Sequence, residues 1–292
     1  MTTPPTEPEP FSLDRRQMRR AFERASRSYD RAAVLQTAVR ERLLARLEYV
    51  KLEPGLIVDA GCGTAHASRD LKRRFPRATV IALDIATGML HEAAHQQGWR
   101  RRFERVCADA EHMPLADASV DLIFSNLMLQ WCDVPDMALR EFQRVLKPRG
   151  LLTFSTFGPD TLMELRAAWA AADQRSHVSR FIDMHDLGDA LVRARLAEPV
   201  LDVERFTLTY DTAVALMRDL KAIGAQNATA GRAAGLTGRA TFATVTQAYE
   251  RFRVDGRLPA TYEVVLGQAW GAIPRDGEVR IPLSQISRRH VP

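Results

Sequence analysis

Lysine is nearly absent. It stands only at positions 51, 72, 147 and 221, so almost all of the 41 basic residues are arginine, and the net charge is +5. Excess positive charge steers acidic partners, but genomic codon preference would produce the same arginines, and composition does not separate the two. No basic–aromatic repeat or nucleic-acid motif accompanies them, so nucleic acid is not expected as a partner. Cysteine is also scarce. Cys62, Cys107 and Cys132 are spaced for neither a zinc site nor a disulfide framework. They are expected as partly buried thiols, and nothing flanking Cys62 would activate it as a nucleophile. No run of eighteen apolar residues occurs, which excludes a membrane-spanning helix. The opening MTTPPTEPEP lacks the basic-then-apolar order of a secretion signal, reads as a disordered tail over 1–13, and points to the cytoplasm. The histidines at 66, 112, 177 and 185 show no ligand spacing, so no metal is expected. Each is read as structural, with His185 alone kept as a candidate, at the start of a helix that Asp186 could cap.

What is present suits a sizeable core: 292 residues, 46% of them hydrophobic. Residues 14–48 have apolar side chains at helical spacing, among them Phe22, Ala25, Tyr29, Ala33 and Leu35, with a break expected near Tyr29–Asp30. Short apolar runs then alternate with helical stretches. Strands are expected at 56–60, 79–85, 103–109, 120–127 and 151–157, and helices at about 65–75, 86–97 and 135–146. That alternation predicts an α/β fold with a mostly parallel sheet covered on both faces. Further on, helices are expected at 160–174 and 185–196, and strands at 200–210 and 261–270. A helical insertion over about 212–256, broken at 223–236, separates the last two strands. Residues 272–292 show no clear period.

The stretch VDAGCGTAHASRDL, residues 58–71, ends a strand, turns through Gly61 and Gly63 and enters a helix. Open α/β sheets bind ligands at this kind of strand-to-helix turn. A dinucleotide fingerprint would place a third glycine at position 66, where His66 stands. Asp59 precedes the turn, Asp84 ends the second strand where a carboxylate can accept both ribose hydroxyls, and Asp109 follows the third strand beside Ala110. Three carboxylates and no phosphate-binding lysine call for a neutral or cationic ligand, and S-adenosylmethionine fits. A purely structural reading would make the three acids helix or turn caps.

The spacing resembles class I S-adenosylmethionine-dependent methyltransferases, in VDAGCGT, ALD, CADAEHMPLADASVDLIFSNLMLQW and LKPRGLLTFSTF. That resemblance implies a Rossmann-like, mostly parallel seven-stranded sheet. It implies cofactor contacts at Gln36, Asp59, Ala60, Gly61, Gly63, Asp84, Ile85, Asp109, Ala110 and Asn126. Asp59 and Gly61 would hold the methionine end, Asp84 the ribose, and Asp109 with Ala110 the adenine.

More narrowly, residues 18–270 resemble the malonyl-acyl-carrier-protein O-methyltransferases of biotin synthesis. The phrases that carry this are AFERASRSYDRAAVLQ, LMLQWC, FSTFGPDTLMELRAAW, FIDMHDLGDALVRARL, LKAIGAQNA and LPATYEVVLGQAW. The family implies methylation of the free carboxylate of a malonyl thioester, giving the ester that primes pimeloyl synthesis. A carboxylate is already ionised at neutral pH, so no general base is required. The family also implies that residues 14–50 form a helical lid over a methyltransferase domain at 51–271, with Tyr29 and Gln36 part of it. Asn126, Gln130 and Trp131 would lie on the substrate side. Arg166 or Arg180 would orient the carboxylate, unless each is simply a solvated helix residue. An acidic acyl carrier protein would dock on Arg15, Arg16, Arg19 and Arg20 or on the inserted unit. LMLQW, FGPDTLMELR, DLGDAL and LPATYEVV also resemble a mitochondrial complex I assembly factor that hydroxylates a protein arginine. A small-molecule carboxyl methyltransferase and a non-catalytic S-adenosylmethionine-binding assembly protein are further alternatives.

Overall fold

A computed structural model describes residues 13–173, 177–179, 181–225 and 238–273. Residues 1–12 and 274–292 of the expected tails, 226–236 of the expected Gly/Ala-rich interruption, and Arg180 lie outside the described residues. Among the described residues seven strands form one sheet: β1 (Leu56–Ala60), β2 (Thr79–Asp84), β3 (Glu104–Cys107), β4 (Val120–Asn126), β5 (Leu146–Phe157), β6 (Ala197–Tyr210) and β7 (Leu258–Trp270). Their order is β3-β2-β1-β4-β5-β7-β6. β1 to β5 pair in parallel, and β7 runs antiparallel to both neighbours. The chain leaves β1 toward β2 in one direction and returns on its other side with β4. A ligand crevice therefore opens at the carboxyl ends of β1 and β4.

Side chains alternate across this sheet. Ile57, Leu122, Phe124 and Leu151 face one layer, while Val58, Ile123, Leu152 and Phe154 face the other. Each such residue, fully buried, contributes about 1.5–3 kcal/mol. The first layer is covered by α2 (Val34–Arg46) through Leu35, Val39 and Leu43, one helical stripe, and by Leu71 of α3 (His66–Arg74). The second is covered by Leu139, Phe142 and Val145 of α5 (Pro135–Val145) and by Leu187 and Leu191 of α7 (Met184–Arg193). α4 (Thr87–Ala93) follows β2. Gly267 of β7 lies opposite Phe154 of β5, whose ring fills the place a Cβ would take. The insertion contains α8 (Ala213–Ala222) and α9 (Arg239–Glu250), and α9 buries Tyr249 with its hydroxyl donating to the Pro259 carbonyl at 2.9 Å.

α1 (Arg15–Ala32) is capped by Asp14, whose side chain accepts from the Gln17 N–H. The break between α1 and α2 falls at Ala33, later than the Tyr29–Asp30 expectation. Tyr29 and Asp30 stay helical because Ser28 binds the Ala222 carbonyl and Asp30 binds Thr64 from within the helix, whereas Ala33 packs inside at 7% exposure. Among the described residues no helix is long and apolar enough to cross a membrane.

Candidate functional site

α1 is tied across the carboxyl ends of β1, β2 and β3 at three points. The Arg15 guanidinium pairs with Asp109 and, at 2.7 Å, with Glu111. Glu23 accepts from the Thr87 N–H at 2.8 Å and the Gly88 N–H at 2.6 Å, capping α4. Asp30 accepts from the Thr64 hydroxyl at 2.6 Å and lies 3.1 Å from His66 Nε2. His66, standing where a dinucleotide motif has glycine, thus links the turn to α1. Asp109, Glu111 and His112 offer ligand atoms within 4.8 Å of one another, but the Arg15 guanidinium already engages both carboxylates.

The glycine turn is held from below by the Leu83 carbonyl, which accepts from Gly61 at 2.8 Å and Cys62 at 3.0 Å. Both glycines have positive φ, +72° and +53°, which disfavours any side chain. A Cβ at Gly61 would also run into Met128. The surface over Gly61 is therefore covered by a flexible methionine, where a bare backbone was expected. Asp59 is 1% exposed and accepts from the Ser68 hydroxyl at 2.6 Å. Burial pushes its pKa up to about 7, against the hydrogen bonding of Ser68. Asp84 accepts from Gly63 at 2.9 Å and Ala86 at 2.8 Å, and burial raises it to about 6. The purely structural reading of Asp84 is thus partly correct: it shapes the turn and also faces the cleft.

Two adjoining spaces open here, sharing Tyr29, Gln36, Gly61, Gly63 and Asn126. The larger, about 1580 Å³ with its open mouth included, runs from Asp84, Ile85, Asp109 and Ala110, past Tyr29, Gln36, Asn126 and Trp131, into an apolar arm. Leu162, Leu165, Phe157, Phe181, Leu208 and Leu220 line that arm. The smaller lies behind the glycine turn and is bounded by Asp59, Gly61, Gly63, Tyr29, Gln36 and Arg40. In it, Gln36 Oε1 and Arg40 Nε are buried and, among the described residues, have no hydrogen-bond partner, although Arg40 Nε lies 3.6 Å from an Asp70 carboxylate oxygen. Ala60 is fully buried behind this site and accepts from Ser125 at 3.0 Å.

The structure brings most expected site residues together. Asn126 donates to the Gln36 carbonyl at 3.0 Å and accepts from Ser155 at 3.0 Å, joining α2 to β4 and β5. Gln130 donates to the Leu127 carbonyl at 2.6 Å, and Trp131 meets Phe22 of α1 edge-to-face at 5.0 Å. Arg166 is not among the cavity-lining residues. It lies in α6 (Met163–Ala170), and its guanidinium donates to the Pro159 carbonyl at 2.9 Å and the Thr161 carbonyl at 3.0 Å, pinning the β5–α6 turn. His185 is exposed at 87%, and the cap of its helix is Asp183, which accepts from His185 N–H at 2.8 Å. Cys62 and Cys132 are partly buried as expected, with thiols pushed up by burial, while Cys107 is exposed. Arg40 was missed. Its only cue was an arginine beside Val39 of the buried stripe in a helix that also carries Arg42 and Arg46.

A methyltransferase-domain model matches residues 58–154. A putative methyltransferase of Bacillus halodurans superposes with a TM-score of 0.59 at 18% identity, covering 81% of this chain and 100% of that one. Phosphoethanolamine N-methyltransferase 2 of Haemonchus contortus, solved with S-adenosyl-L-methionine, superposes with a TM-score of 0.50 at 16% identity, covering 80% of this chain and 53% of that one. Fold and domain match define a class I methyltransferase. A malonyl-[acyl-carrier protein] O-methyltransferase of Methylovorus sp. is 56% identical over 266 residues, 89% of this chain and 90% of that protein. The one from Laribacter hongkongensis is 53% identical over 270 residues, 90% of this chain and 91% of that protein. The chain belongs to this O-methyltransferase family, and it is an enzyme of methyl transfer.

Proposed function

We propose that the chain transfers a methyl group from S-adenosylmethionine to the free carboxylate of a malonyl thioester on an acyl carrier protein. The observation that carries the donor is the pair of orphaned polar atoms behind the glycine turn. Arg40 Nε is a donor suited to a carboxylate, while Gln36 Oε1 and Asp59 are acceptors suited to an ammonium. Buried polar atoms are rarely left unpaired, and this set matches one α-amino acid zwitterion. Asp84 would accept from the ribose, with Ile85 beside it, and Asp109 and Ala110 would border the adenine. The Haemonchus enzyme's own S-adenosylmethionine supports the same reading.

When bound, S-adenosylmethionine supplies an electrophilic methyl group on a sulfonium for in-line displacement. The residues of this chain position and enclose. α1 and the start of α2 act as a lid, with Tyr29 over Gly63 and Phe22 on Trp131. Alignment of this kind contributes up to about 7–11 kcal/mol to lowering a barrier. Burial pushes the Tyr29 hydroxyl well above its ordinary value, so it stays protonated and would be available as a hydrogen-bond donor. Gln130 and Asn126 line the same cavity and would frame the approach of the substrate.

The purified protein incubated with S-adenosylmethionine and malonyl-carrier should add one methylene to the carrier by intact mass. Asp84→Ala should lose the reaction. Unmodified carrier in the presence of measurable S-adenosylmethionine binding would refute the assignment.

The carrier would dock on the outer face of α1. Arg16, Arg20, Arg24, Arg27 and Arg31 recur at helical spacing opposite the buried face, all five are exposed, and among the described residues none has a carboxylate partner. Arg15 is not available for docking because it is committed to Asp109 and Glu111, and Arg19 lies 3.9 Å from Glu23. Arg20→Glu with Arg24→Glu should raise KM for malonyl-carrier about tenfold or more and weaken its salt dependence. KM for malonyl-pantetheine should not move, and an equal rise for both substrates would remove the stripe as a docking face.

A further inference from the structure

Resting on the reading above, a substrate carboxylate must enter a cavity already lined by Asp84, Asp109, Glu111 and Asp219. Among the described lining residues two side chains can carry positive charge, Arg15 and His177. Arg15 is spent on Asp109 and Glu111. Arg166 is spent on the carbonyls of Pro159 and Thr161. His177 is placed differently. It lines the apolar arm beside Val178 and Phe181, and its ring stacks on Trp169 of α6, with centroids 3.7 Å apart and planes 11° from parallel. Its Nε2 lies 2.7 Å from an Asp173 carboxylate oxygen.

We propose that His177, oriented by Asp173 and Trp169, is the receptor for the substrate's free carboxylate and so selects the acid over its methyl ester. A carboxylate beside Nε2 fixes the proton there. Among the described residues Nδ1 has no partner, so in the imidazolium it is the remaining donor. That charge, balanced by Asp173 on one side, would meet the incoming carboxylate on the other. The stacked indole holds the ring plane. Methylation removes the substrate's charge, so the same contact would be lost in the product and would favour its release.

The test uses the full chain loaded with S-adenosylhomocysteine, so that no turnover occurs, and measures Kd for malonyl-carrier and for its methyl ester separately. The wild type should prefer the acid. His177→Gln should weaken malonyl-carrier by about 30-fold, the scale of a charge-assisted hydrogen bond, and leave the methyl ester within about twofold, the level of scatter in such contacts. Asp173→Asn, which keeps the ring, should give a smaller loss of the same selective kind. Equal weakening of both ligands would make His177 a packing residue, and an unchanged preference would remove it from recognition; either overturns the proposal. Unchanged S-adenosylhomocysteine affinity shows that the variants fold. Failure of the wild type to methylate malonyl-carrier would instead overturn the function on which the proposal rests.

Discussion

Arg40→Gln should weaken S-adenosylmethionine by about 100-fold, within the roughly 2–5 kcal/mol lost when one member of a buried charged pair is removed. The side chain is 12% exposed, and its nearest carboxylate, Asp70, is 3.6 Å from Nε, too long for a hydrogen bond. A buried guanidinium nitrogen without an acceptor is costly, and a ligand carboxylate there would remove that cost. Glutamine keeps much of the volume and discards the charge. The fold should survive, because Asp70 retains Arg69 at 2.9 Å and Arg73 at 3.7 Å. Calorimetry with 5′-methylthioadenosine, which lacks the amino acid, is the control. Its affinity should be the same in wild type and variant. Parallel weakening of both ligands would mean that Arg40 shapes the cleft and does not hold the methionine carboxylate.

Arg40 also marks where sequence reading ends. The seven strands, the two-faced burial of central β1, β4 and β5 and the acids at strand ends were legible, because a strand buried on both sides reads as a short apolar run and a crossing turn needs glycine. Asp84 was found for that reason. Arg40 and Arg166 are both helical arginines, and local pattern cannot distinguish them. What separates them is tertiary: one nitrogen is left beside a polar cavity, and the other guanidinium closes a turn. The clasp from Arg15 to Asp109 and Glu111 spans more than ninety residues, and no periodicity encodes it. The break at Ala33 was misplaced because Tyr29 and Asp30 look like a helix end until their partners, Gly63, Thr64 and His66, are brought beneath them.

The burial of Asp59 and Asp84 makes the protein's behaviour depend on pH. Burial raises Asp59 to about 7 and Asp84 to about 6. An unfolded aspartate titrates near ~4. Between those values the folded chain holds protons that the unfolded chain has released, so each group's contribution to stability is complete below about pH 4 and is lost as pH rises through its folded value. At about 1.4 kcal/mol per unit, that is on the order of 3–4 kcal/mol for Asp59. Glu23, Asp30, Asp121, Asp136 and Glu141 lie below their ordinary values and act with the opposite sign, so the pH dependence of the whole protein mixes both. The difference between wild type and Asp59→Asn isolates the one group. Asparagine can still accept from Ser68 and never ionises. Without ligand, the variant should gain several degrees in Tm relative to wild type between pH 5 and pH 8. Cofactor affinity should move the other way. An ammonium and a ribose favour ionised partners, so wild-type affinity should rise about tenfold or more from pH 5.5 to 8, and Asp59→Asn should flatten much of that rise. A Tm gap that does not change with pH would mean that Asp59 is already ionised in the folded protein at pH 5. The acid would then be a solvated partner of Ser68, and the pocket behind the glycine turn would be wetter than its burial indicates.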